Sequence, residues 1–276
     1  MANLRWLYIY SSLEKVLPLV LSYLSLPVDK ICSVTAISTN HSVDRTISFE
    51  SFLPLLVAYT HLYLVSYAML GLGVMLVDSA LFTIVYNDPV SQDGFEDHSP
   101  PPLSTPTIFK KTRFPPTFHS RLIKGLSTCD LSQVKKLTLT TSYSGKVFDP
   151  TDPEFHTFLV SLTGVETLIA PEASIEPLNN VNSGPVFPSL KTLMLDLWSK
   201  RVSPRLEKSM KLFFARRIDA GILVAVLDIS KFVAEFGKSV KWFFLESVKD
   251  LKATWSDSEK NQEYICGRGS PEKLEM

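Results

Sequence analysis

The sequence predicts an α/β fold in which short parallel strands alternate with helices, and three observations lead there. An apolar-x-x-apolar-x-apolar pattern recurs at Leu4, Leu7, Ile9; at Val134, Leu137, Leu139; at Val165, Leu168, Ala170; at Leu190, Leu193, Leu195; at Val224, Leu227, Ile229; and at Val240, Phe243, Leu245. The last three positions of each match alternate, as in a short strand with one buried face. Several intervening stretches carry helix-start and helix-face signals, and glycines close the helices before the next strand begins. The downstream matches start at residues 134, 165, 190, 224 and 240, uneven against the period of about 20–29 residues of a regular leucine-rich repeat. The expected architecture is therefore an irregular leucine-rich-repeat-like solenoid, each unit reading strand, loop, helix, glycine, strand. An ordinary α/β domain built from the same alternation is the alternative.

Taken in order, the first strand covers Leu4 to Ile9, and Ser12 caps a helix that turns Leu13, Val16, Leu17, Val20, Leu21 and Leu24 inward. Pro18 kinks that helix or delays its start. Ser48 caps a second helix with Phe49, Phe52, Leu53 and Leu56 on one face, and Leu81 to Tyr86 reads as a strand. Farther on, Asp152 is a helix cap with Pro153 in the first turn; Phe155, Phe158, Leu159 and Leu162 face inward and Gly164 ends the helix. The same grammar returns with Ser203 as cap, then Pro204, then Leu206, Met210, Phe213 and Phe214 inward, and Gly221 as the stop. Arg216 and Arg217 fall in that helix's last turn, where cations complement the dipole. Ser230 and Gly237 bracket a shorter helix carrying Phe232, Val233 and Phe236.

Composition narrows the class. The chain has 276 residues, 45% hydrophobic and 20% charged, with 28 basic and 28 acidic side chains. That is enough chain to bury a core and too few charges for disorder. Zero formal charge argues against a nucleic-acid-coating protein, which must neutralise many phosphates. Cys32, Cys129 and Cys266 are odd in number and far apart, so neither a disulfide framework nor a CxxC pair is expected and a reducing compartment, cytoplasmic or nuclear, is the default. No signal-peptide core follows Arg5, and Leu274-Glu275-Met276 is no lipidation box. Asn40-His41-Ser42 fits a glycosylation triplet that carries no weight without a secretory signal.

Two stretches stand apart. Between Glu50 and Asp78 the ionisable side chains are His61, Tyr59, Tyr63 and Tyr67 alone. The clean run Leu62 to Val77 is short of the roughly 20 residues that a spanning helix needs, so it is expected in a buried core, with Gly71 and Gly73 suited to a turn. A single-pass membrane protein anchored by residues 52–77 is the alternative; it would send the later repeats across the membrane by the positive-inside rule. From Asn87 to Pro116, four acidic residues and seven prolines mark a solvated loop or linker. The expected organisation is 1–86 N-terminal repeats with the apolar segment, 87–120 loop, 121–254 C-terminal repeat units and 255–276 a flexible tail.

Catalytic chemistry leaves no trace. GxSxG, Walker, GxGxxG and HExxH motifs are missing, and Gly71-x-Gly73 and Gly267-x-Gly269 lack the third glycine of a phosphate cradle. His41, His61, His98, His119 and His156 are scattered singly, and Cys32 near His41 has no orienting third group. No catalytic, cofactor-binding or metal-binding residue is expected, and no cofactor. Basic residues outnumber acidic ones from Lys200 to Lys249, which suits a solvated helix face or an acidic partner.

Val134-Lys-Lys-Leu-Thr-Leu139, Val165-Glu-Thr-Leu168, Phe187-Pro-Ser-Leu-Lys-Thr-Leu-Met-Leu195 and the Arg216-Arg217 helix leading into Leu227-Asp-Ile-Ser230 resemble the C-terminal half of basidiomycete F-box proteins with leucine-rich-repeat-like folds. Leu4-Arg-Trp-Leu-Tyr-Ile9 followed by Leu24-Ser-Leu-Pro27 is similar to an upstream repeat of that kind. The resemblance implies a non-catalytic interaction module whose repeats select a protein for ubiquitination, while an F-box of about fifty residues docks the ligase scaffold. Leu17-Pro18 is too close to Ser22-Tyr23-Leu24 for an F-box, and no Trp follows before Trp198. The segment reads as a repeat helix, so a Skp-type adaptor is expected as a partner only if an F-box lies upstream.

Overall fold

The computed structural model describes residues 6–11, 33–38, 54, 57–58, 61, 71–76, 82–87, 118–141, 151–181, 184–196, 204–230, 241–257 and 260–275. The chain divides into two compact units, Met1–Thr163 and Gly164–Met276.

In the first unit, β1 (Trp6–Ser11) pairs in parallel with β2 (Ser33–Ser38). A second group centres on β3 (Gly71–Leu76), antiparallel to β4 (Phe82–Asn87) and parallel to β5 (Lys136–Thr141). The apolar segment thus contributes a strand hydrogen-bonded on both sides, with Gly71 and Gly73 inside it rather than in a turn. Among the described residues no helix is long and apolar enough to cross a membrane. Pro54, Val57, Ala58 and His61 are helical; the rest of the helix expected after Ser48, the Ser12 helix and the loop to residue 117 lie outside the described residues.

Helix α1 (Phe118–Leu126) starts inside the stretch assigned to the loop. Its Leu122, Ile123 and Leu126 are spaced to share one face and are buried. Helix α2 (Pro153–Ser161) forms as its sequence directs: the Asp152 carboxylate accepts from the Glu154 N–H at 2.9 Å, and Pro153 occupies the first turn. Phe155, Phe158, Leu159 and Leu162 are fully buried. Lys124 reaches Glu154 across the two helices at 3.0 Å, an exposed pair of small energetic weight.

The second unit runs β6 (Thr167–Ala170), α3 (Glu172–Asn179), β7 (Thr192–Leu195), α4 (Pro204–Asp219), β8 (Val226–Asp228), a 3₁₀ turn (Phe243–Ser247), β9 (Lys252–Asp257), β10 (Lys260–Ile265) and a last 3₁₀ turn (Pro271–Leu274). Strands β6, β7, β8 and β9 lie side by side and parallel, and β10 closes the order as an antiparallel edge. The array is open. Strand–helix alternation is thus the observed α/β architecture.

Helix α4 buries Leu206, Met210, Phe213 and Phe214 as its spacing predicts, while Ser203 lies outside the described residues. Its end is a Schellman motif: the Ile222 N–H donates to the Arg217 carbonyl at 3.0 Å and the Gly221 N–H to the Ile218 carbonyl at 2.9 Å. The motif needs a left-handed residue, and Gly221 supplies it at φ 70°.

Three findings depart from the sequence reading. Phe243 and Leu245 are not in a strand: Trp242 and Leu245 are buried three residues apart and Phe243 is exposed, the spacing of the 3₁₀ turn that forms, while Val240 lies outside the described residues. The strand comes later, as β9. Helix α3 carried no clear signal, because it has no capping side chain and holds Pro177 inside it; burial of Ile175, Leu178 and Asn179 sustains it. The stretch from residue 255, expected as a flexible tail, contributes to the sheet over its described residues. β10 pairs with β9 over six residues, Tyr264, Cys266 and Leu274 are buried, and the Trp242 N–H donates to the Leu274 carbonyl at 3.0 Å. Its polar composition occupies an edge strand with one apolar face.

A carboxylate clamps this C-terminal hairpin. Glu246 accepts from the Tyr264 hydroxyl at 2.9 Å and from the Gly269 N–H at 2.5 Å, and the Ser270 N–H donates to the Tyr264 oxygen at 3.0 Å. Desolvation pushes the Glu246 carboxyl up, but the N–H groups of Gly269 and Gly267 and the Tyr264 hydroxyl outweigh it and hold the group below its ordinary value. A carboxyl lowered in the folded state stabilises above its unfolded value and loses that contribution as the pH falls through the folded one.

Candidate interaction surface

Strand register sorts the second unit's side chains into two faces. Inward, Leu168, Leu193, Leu227, Ala253 and Tyr264 stand in one cross-strand row, all buried, with Ala170 and Leu195 in the next row. Outward, Thr167, Thr192, Val226, Lys252 and Ile265 form one half-buried row. Ile169, Met194, Asp228 and Thr254 form the second, continued by exposed Glu263. This alternation follows from the period of two along each strand. The outward face mixes β-branched, thioether, hydroxyl and charged groups with no cluster of one sign. Its borders carry Lys191 paired with Glu166 at 2.7 Å and Lys252 paired with Glu263. Such a surface offers apolar and hydrogen-bonding contact side by side.

The geometry of β7 depends on a buried cation. Arg217, expected at the helix end as a partner of the dipole, is only 2% exposed. Its Nη1 donates to the Val186 carbonyl at 2.8 Å, and Nη2 to the carbonyls of Phe187 at 3.1 Å and Leu190 at 3.5 Å. Those three carbonyls belong to the loop that launches β7. Phe187 there adopts φ 56°, a conformation unfavourable for a non-glycine residue, with its ring fully buried. The guanidinium fork satisfies the carbonyls that this turn leaves without strand partners. Burial lowers the Arg217 guanidinium to about 10, so it remains a cation at neutral pH. Its neighbour Arg216 donates to the Asn179 carbonyl, and the Asn179 side-chain amide donates to the Ser209 carbonyl at 2.9 Å, fastening α3 to α4.

The histidines and cysteines singled out by sequence do not converge. His61 is helical and exposed, His119 lies in α1 and His156 in α2, while Cys32, His41 and His98 fall outside the described residues. Among the described residues no group of His, Cys, Asp and Glu is arranged to hold a metal ion. Cys129 and Cys266 are free and buried. Cys129 Sγ faces the Val57 carbonyl at 3.9 Å. Burial pushes the Cys129 thiol up and the Cys266 thiol up to about 12 from an ordinary 9.0. Both thiols therefore stay protonated in the folded chain, and the stability tied to them is complete below pH 9.0 and declines as the pH rises toward the folded values. In a Cys32→Ser variant at pH 8, we expect iodoacetamide to leave both native thiols unlabelled over minutes and to label both in denaturant. Rapid labelling of either in the folded chain, read by mass spectrometry, would contradict their burial.

Comparison with known proteins yields no matching family model, no matching curated protein and no matching solved structure.

Proposed function

We propose that this chain is a non-catalytic protein-interaction module whose outward strand face selects a partner protein, in the manner of the substrate-recognition repeats of F-box ubiquitin-ligase adaptors. The observation that carries the reading is the register: Leu168, Leu193 and Leu227 stand side by side on successive strands, with α3 and α4 in the connections. Stacked strand–helix units of this kind are what a leucine-rich-repeat-like solenoid requires, and in solenoids the strand surface is the binding surface. The partner is a protein segment that meets Ile169, Met194 and Thr192 through apolar and hydrogen-bonding contact. A Skp-type adaptor joins only through an F-box upstream of the repeats, and the compartment is cytoplasmic or nuclear, in keeping with two buried free thiols.

A photo-crosslinking residue placed at Thr192 tests the reading in cells. One partner protein is expected to crosslink there, to disappear with Met194→Arg, and to persist with Leu212→Arg on α4. Equal loss with both substitutions, or crosslinking at Leu212 but not Thr192, would remove the strand face as the binding surface.

A further inference from the structure

Away from the strand face, the second unit holds an open cleft of about 150 Å³, walled by Phe214, Ile218 and Leu223 and bordered by Arg217, Lys249 and Asp250. Three features set it apart. Ile218 and Leu223 are 45% and 57% exposed, an apolar pair left in water at the rim. Arg217 is a buried cation whose hydrogen bonds all go to neutral carbonyls, and its Nε has no partner. Among the described residues no carboxylate is ion-paired with it, so its field reaches the cleft through a low-dielectric wall. Asp250 stands at φ 64°, a left-handed conformation that Asp adopts more readily than most residues, and puts one carboxylate at the rim.

From these we infer that the cleft captures the C-terminal residue of a peptide, a branched apolar side chain with its free carboxylate. The volume matches one such group, since a cavity of about this size holds a benzene-sized molecule. It is well below the roughly 300–1,000 Å³ of ordinary small-molecule pockets. The walls take the side chain, the exposed Lys249 ammonium meets the terminal carboxylate, and the charge of buried Arg217 adds to that attraction against the repulsion of Asp250. The open mouth leaves the preceding residues of the peptide in solvent, where further contacts add affinity that a free acid of about eight heavy atoms could not reach. This inference is independent of the strand-face reading.

Methyl NMR titration tests it, following Leu223 and Ile218 in the full chain. Acetyl-Ala-Ala-Ala-Leu with a free C-terminus is expected to shift both sets of methyls, and its C-terminal amide to bind on the order of tenfold more weakly. Lys249→Gln should weaken the free peptide about two- to fivefold, and Asp250→Asn, which keeps a side chain tolerant of φ above zero, should strengthen it by a similar factor. Leu223→Ser, at an exposed position that does not threaten folding, should abolish the shift of the remaining reporter, the Ile218 methyls. Equal binding of acid and amide, or no shifts with the free peptide at ~10 mM, would overturn the proposal. Binding of 4-methylpentanoate as tightly as the peptide would overturn the peptide as the source of the carboxylate.

Discussion

Arg217→Met is expected to lower the stability of the second unit by about 3–5 kcal/mol, the scale for dismantling a buried charged network. Methionine keeps much of the side chain's volume but provides no donor, so the carbonyls of Val186 and Leu190 lose the guanidinium and that of Phe187 keeps the Leu190 N–H alone. Each buried acceptor left unsatisfied costs about 1–3 kcal/mol. The contact of the guanidinium with the Phe213 ring, 5.7 Å from its centroid, is lost as well. Arg217→Lys should recover part of the loss, since an ammonium reaches one or two carbonyls but cannot reproduce the planar fork. Urea titrations followed by circular dichroism would measure both. A methionine variant within about 1 kcal/mol of the parent, near the net value of one ordinary hydrogen bond, would mean that the loop before β7 holds its shape unaided.

Leu193→Ala should cost about 2–5 kcal/mol, the range for a buried leucine whose cavity cannot collapse. Leu193 is fully buried at the centre of the inward row, with Leu168 on one neighbouring strand and Leu227 on the other. Parallel strands held from both sides have little freedom to close around a void. Met194→Ala, one residue along and half-buried on the outward face, should cost less than about 1.5 kcal/mol for the same strand. The contrast between the two is the diagnostic, because it reports which face is core. Similar losses at both positions would mean that the outward face is covered, and would argue against its use as an interaction surface.

Much of this architecture was legible in the residues. Asp152-Pro153 with four apolar positions behind it, Pro204 with Leu206, Met210, Phe213 and Phe214, and the glycine at 221 each encode a helix by local chemistry: a cap, a preset φ, a face, a left-handed stop. The strands at Leu137, Leu168, Leu193 and Leu227 were equally readable, since alternation with a period of two needs no knowledge of neighbours. Helix α3 was not readable, because it lacks a cap and contains Pro177, and only packing makes it worth forming.

By itself, then, the sequence determined where β5 to β8, α2 and α4 fall and which side of each is apolar, because capping, periodicity and turn preference act within a few residues of the chain. The tertiary structure decided three things those local rules cannot reach. It made Phe243–Ser247 a 3₁₀ turn and placed the strand at Lys252–Asp257, since pairing beside β8 selects the segment that fills the register. It ordered the polar C-terminus as an edge strand, because β9 presents a row of backbone donors and acceptors that Lys260–Ile265 satisfies. And it buried Arg217 at that helix end, because carbonyls of a loop some thirty residues upstream take up its donors, an arrangement suited to a long, forked cation.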